Sequence, residues 1–153
     1  MISCTVNKNI AGKYRSNFAD LGFFMTEINL KPDRSFHYVF SGDMQHSELD
    51  GKYQIRNNRL YLRFDKLKDT TELADNVTIV DLSNWQNTHF YDLNTENGIE
   101  YHLKYQINGE ILHPYHITND RIVRRGKFIT DKKRYILFGP TCYNRKWYLK
   151  KVN

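Results

Sequence analysis

The feature that most constrains this chain is its recurring period of two. Phe24, Thr26, Ile28 and Leu30 alternate with Met25, Glu27, Asn29 and Lys31, and Phe36, Tyr38 and Phe40 alternate with Ser35, His37 and Val39. Ile99, Tyr101, Leu103, Tyr105 and Ile107 make the longest clean run. Successive side chains point to opposite faces only in an extended strand, so these segments are committed to a sheet with one face buried. Turn chemistry separates the runs. Pro32-Asp33-Arg34 follows the first, Ser41-Gly42-Asp43 the second, and Asn57-Asn58 stands between Tyr53, Ile55 and the returning Leu60, Leu62 and Phe64. Asn108-Gly109 ends the longest run. Proline fixes φ, aspartate bonds back to its own chain, and asparagine and glycine tolerate positive φ, so each reads as a hairpin connection.

Elsewhere the pattern is less regular. Gln45-His46-Ser47-Glu48 reads as a polar excursion, and residues 65–75, with Leu67, Leu73 and Ala74 among charges, read as a loop with room for a turn or two of helix. Val77, Ile79 and Leu82, then residues 85–91, supply two or three strands before a turn at 94–98. Ile111, His113 and Tyr115 continue the alternation, although Pro114 lacks a ladder donor and implies an edge or bulge. Residues 121–129, 134–138 and 146–152 are the last candidates, divided by Gly126 and Gly139-Pro140. With no linker or repeat, residues 12–153 read as one domain and 1–11 as a tether or processed segment. About eight to ten short strands joined by hairpins make an all-β, antiparallel up-and-down β-barrel the expected fold, since closure removes exposed edges. A two-sheet β-sandwich is the alternative.

Four stretches carry a resemblance. Gly12-Lys13-Tyr14, the run from Ile28 through Pro32-Asp33-Arg34 to Phe36, Gly51-Lys52-Tyr53-Gln54-Ile55 and Asn58-Arg59-Leu60-Tyr61-Leu62 resemble the opening of small bacterial lipocalin-like (calycin-like) domains. The likeness covers residues 12–64 and departs from the pattern at Arg34, where glycine is usual. It implies a lipocalin-like barrel. Many such domains are lipoproteins, and their ligands vary too widely for any to be carried over.

The start of the chain bears on the same point. Ile2-Ser3-Cys4 looks like the tail of a lipobox, so Cys4 is the expected lipid attachment site, with the basic and apolar parts of a signal lying upstream. The corresponding location is the cell envelope, and membrane contact would come only through that anchor. The alternative is a cytoplasmic protein with an incidental thiol, or a disulfide from Cys4 to Cys142.

Composition limits the chemistry. Eleven Tyr, nine Phe and two Trp suit pleated sheet and exclude disorder, and no apolar run approaches the roughly 20 residues of a spanning helix. The six histidines offer one close pair, His113 and His116, which a strand would aim at opposite faces, and His89 beside Asp92 reads as a surface pair. No metal site or cofactor is therefore expected. Without a phosphate loop, nucleophile elbow or paired-carboxylate motif, a non-enzymatic binding role is the expectation. Phe36, Tyr38, Tyr53, Trp85, Tyr101 and Tyr105 are the candidates to line a small apolar ligand within the barrel. The blander reading is that they fill a packed core.

Charge is uneven. Residues 121–153 hold 11 Lys and Arg against Asp131 alone, while residues 1–120 hold 12 against 16 acidic residues. Arg121, Arg124, Arg125, Lys127, Lys132, Lys133 and Arg134 thus form a candidate basic surface for an acidic protein partner. Phe128 and Tyr135 stand among them, but the acidic remainder argues against nucleic acid. A solvated outer face is the structural alternative.

Overall fold

The structure, a computed structural model, describes residues 10–42, 45–65, 93–116, 119–130 and 141–152. The alternating segments form strands: β1 (Gly12–Ser16), β2 (Met25–Leu30), β3 (Ser35–Gly42), β4 (Gln45–Arg56), β5 (Arg59–Phe64), β6 (Asn94–Glu96), β7 (Ile99–Tyr101), β8 (Leu103–Asn108), β9 (Ile111–Pro114), β10 (Arg125–Thr130), β11 (Thr141–Lys146) and β12 (Leu149–Val152). Eight of them close a barrel in the order β1-β2-β3-β4-β5-β8-β9-β12, with β12 returning to β1. Every adjacent pair is antiparallel and successive along the wall, so this is the up-and-down, lipocalin-like barrel and not a sandwich. Two hairpins, β6–β7 and β10–β11, stand outside that sheet.

The inward positions of each strand meet in one core. Tyr14, Ile28, Leu30, Phe36, Leu60, Leu62, Leu112 and Leu149 are all but inaccessible, and Phe40, Leu49, Leu103 and Trp147 pack against them partly buried. β4 is the longest strand and changes partner midway, pairing with β3 through Lys52 and with β5 from Gly51 onward. Only glycine fits at that crossover, because a Cβ on Gly51 would run into the Arg63 carbonyl and the Phe36 ring.

The two ends of the barrel differ. At one, the base, the connections are tight. Asn57 and Asn58 take φ of 52° and 58°, as a type I′ turn requires, and Arg34 occupies the left-handed region at 68°. Tyr14 donates its hydroxyl to the Ile10 carbonyl at 2.9 Å and Tyr53 to the Lys31 carbonyl at 2.8 Å, closing this end where the chain enters. From the other end leave the long connections 17–24, 65–102 and 115–148, which carry both extra hairpins.

Several expectations are corrected. The run from Ile99 to Ile107 is not one strand: it breaks at His102, whose Nδ1 accepts the Phe64 amide at 2.9 Å while its own amide donates to Leu62 at 2.8 Å. The chain crosses there from the outer hairpin into the barrel wall. The polar stretch 45–48 is strand, since ladder pairing with Ser41 and its neighbours needs no apolar side chain on the solvent face. The turn after the longest run uses Gly109-Glu110, with Asn108 paired to Ile111. Residues 121–124 precede β10, 146–152 is interrupted at Trp147-Tyr148, and β11 was not expected. The strands expected at 77–91 and 134–138, and the helical turn expected after Asp65, lie outside the described residues.

Candidate functional site

The barrel wall is weakest where β9 meets β12. Only Leu112 with Leu149 and Ile111 with Lys150 are paired there. Beyond Leu112 the two strands splay, and the segment ahead of β10 fills the gap: the Val123 amide donates to Pro114 at 2.8 Å, Tyr115 bridges Ile122, and the Trp147 amide donates to Arg124 at 3.0 Å. The β10–β11 hairpin leaves from this point. It is fixed to the β1–β2 connection by Lys127 N–H to Asp20 Oδ1 at 2.6 Å, Leu21 N–H to the Lys127 carbonyl at 2.7 Å and Asn17 Nδ2 to the Lys146 carbonyl at 2.9 Å. Phe18 sets its edge on Phe128 at 5.3 Å.

A groove of about 810 Å³ runs along the outside of this seam. Its walls include Gln106, Ile107 and Asn108 of β8, Ile111 and His113 of β9, and Ile122 and Tyr148. Arg124, Arg125 and Lys146 supply its charge, and all three are exposed. Arg125 and Lys146 are direct cross-strand partners, so two like charges face each other at the root of the hairpin. His113 stacks edge-on to Tyr148 with centroids 6.0 Å apart. Its Nδ1 is buried and without a hydrogen-bond partner, and burial, then the Arg124 charge, push its pKa below the ordinary histidine value while a bond to the Trp147 backbone pulls the other way.

A second polar centre lies farther round the wall. Lys104 points outward from β8, yet its side chain is 2% exposed because the β6–β7 hairpin, Tyr115, His116 and Asp120 cover it. Its ammonium meets Glu96 Oε2 at 2.6 Å and the Asp120 carboxylate, and lies 4.5 Å from the Tyr115 ring centre and 5.5 Å from that of Tyr101. Burial disfavours the charge, but the bonds to Asp120 and Glu96 outweigh it and raise the pKa. Arg59 extends the network by pairing with Glu96 and lying 5.7 Å over Tyr115. The sequence signals none of this, since each member alone is an ordinary surface charge. The gap among these residues is about 20 Å³, too small for a ligand.

The candidates drawn from sequence are dispersed. Phe36, Tyr38, Tyr53 and Tyr105 are buried inside the barrel, where Phe36 and Tyr38 each contact the Phe64 ring at 5.4 Å. Burial, the largest influence, raises the Tyr53 pKa, and its hydroxyl is spent on Lys31. Tyr101 is not inside: it belongs to the outer hairpin, 5.2 Å from Tyr61. Of the basic set, Arg124 and Arg125 line the groove, Arg121 and Lys127 do not, and Lys132, Lys133 and Arg134 lie outside the described residues, as do Cys4 and Trp85. Lys146, which joins Arg124 and Arg125, was passed over because it stands apart from the dense basic run. Cys142 is a free, exposed thiol. His37 pairs with Asp50 at 2.8 Å and His46 with Glu48 at 2.8 Å on the exposed face of β3 and β4. Among the described residues no three His, Cys, Asp or Glu gather as metal ligands.

No protein-family model matches this chain, and neither does any curated protein or solved structure with which it was compared. Its class is therefore defined by its own geometry: an eight-stranded up-and-down barrel with a basic hairpin rooted at its weakest seam.

Proposed function

We propose that this chain is a non-enzymatic binding domain of a bacterial cell-envelope lipoprotein, anchored through Cys4, with its recognition surface on the basic outer wall. The observation that carries the reading is the groove at the seam, where Arg124, Arg125 and Lys146 converge beside apolar walls. A ligand inside the barrel is less favoured, because Phe36, Tyr38, Phe64 and their neighbours pack the described interior ring against ring. The polarity of the fold supports the anchor. The chain enters at the base, at Ile10, and the long connections leave from the opposite end, so a tether at Cys4 would turn the base toward the membrane and the hairpin away from it. Several acyl chains on one cysteine would hold firmly where a single chain holds only marginally.

Fractionation tests the anchor. Expressed with its native upstream region, the protein is expected in the membrane fraction and Cys4→Ser in the soluble fraction; equal partitioning of the two defeats the envelope reading.

A further inference from the structure

We infer that the seam groove is a binding site for a small organic anion, a carboxylate or phosphate monoester attached to an apolar body. The inference rests on the reading of this domain as a binding module and names the ligand class of that same surface.

Charge comes first. Arg125 and Lys146 oppose each other across the first rung of the β10–β11 ladder, and Arg124 precedes them at the point where the chain leaves the barrel wall. Like charges directly opposite repel, and a sheet ordinarily places an opposite charge in such a position. None of the three makes an ion pair among the described residues. Asp20, which bonds to this hairpin by accepting the Lys127 and Leu21 amides through Oδ1, makes no ion pair with any of the three. An anion bound between the guanidinium groups and the ammonium would relieve that repulsion and gain charge-assisted hydrogen bonds, the bidentate kind from arginine.

Shape decides the rest of the ligand. A volume of about 810 Å³ lies within the range of roughly 300–1,000 Å³ typical of small-molecule sites. Ile111, Ile122 and Tyr148 offer an apolar wall beside the cations, which a bare inorganic ion would leave unused. A polyanion would engage the exposed Arg121 and Lys127 as well, yet neither lines the groove.

The test is a titration of the purified chain with phenyl phosphate, inorganic phosphate and benzyl alcohol, followed by amide and imidazole NMR. Phenyl phosphate is expected to bind more tightly than the other two, shifting His113, Ile111 and Tyr148 signals. Arg125→Gln and Lys146→Gln are each expected to weaken it by about tenfold or more while leaving distant amide signals in place. Absence of shifts at the groove, binding indifferent to both variants, or inorganic phosphate binding as tightly as phenyl phosphate would overturn the inference. An oligonucleotide that outcompetes phenyl phosphate and spreads its shifts across Arg121 and Lys127 would overturn the small-anion site while keeping the basic surface as a place of binding. Because these measurements use soluble protein, they stand or fall independently of the anchor at Cys4.

Discussion

On the outer wall of a small barrel a lysine normally reaches water along its stem. Lys104 does not, because two connections fold over it and leave its side chain 2% exposed. Removing an ammonium from water costs several kcal/mol, and here Glu96, Asp120 and the faces of Tyr101 and Tyr115 offset that cost. Lys104→Met keeps the stem but takes the cation away from Asp120 and leaves Glu96 to Arg59 alone. Asp120 is largely exposed, which tempers the penalty, so the expected loss is about 2–3 kcal/mol, seen as a lower urea midpoint with an unchanged slope. An unchanged midpoint would mean that the network contributes nothing. That Lys104 points outward was legible from its place in the alternating run. That it is buried was not, since its partners come from separate connections whose paths the period does not encode.

Hairpins were readable where a turn is encoded by its own residues. Asn57 and Asn58 both take positive φ, and the strands they join pair in the register that Tyr53, Ile55, Leu60 and Leu62 imply. The break at His102 was invisible, because Ile99 to Ile107 keeps perfect alternation while the chain passes from one sheet to another. The polar stretch 45–48 misled in the opposite sense: hydrophobic pattern marks the buried face of a strand, and backbone pairing alone sustains β4 there. Gly51 gives this element its sharpest test. Alanine at 51 would press its methyl on the Arg63 carbonyl and the Phe36 ring, so Gly51→Ala is expected to cost about 1–3 kcal/mol and lower the melting temperature. A variant that melts with the parent would show that β4 shifts to make room.

At the scale of the described barrel, stability is expected to follow the length of each strand pairing. β3 and β4 share eight paired positions, whereas β9 and β12 share two. Local opening starts where few hydrogen bonds must break, so the β9–β12 seam is expected to open before the β2–β5 wall. Hydrogen exchange followed residue by residue reads this directly. The amides of β9 and β12 should exchange faster than those of β3 and β4, and uniform protection around the barrel would refute the idea. The groove lies along the same seam, which places the candidate binding surface where the wall has least cooperative support.

Sequence alone marked most of the barrel strands and made an up-and-down barrel the expected fold with a sandwich as the alternative, because a period of two and the turn residues act through local stereochemistry between chain neighbours. It also marked the last fifth of the chain as basic. Tertiary structure decided which of those charges matter: it brought Arg124 and Arg125 to Lys146 and left Arg121 and Lys127 outside the groove. It placed Tyr101 outside the barrel, buried Lys104 under two connections and put the base and the long connections at opposite ends. These outcomes depend on closing the sheet and laying distant segments against it, and the free energy of such contacts belongs to residues that meet only once the barrel is closed.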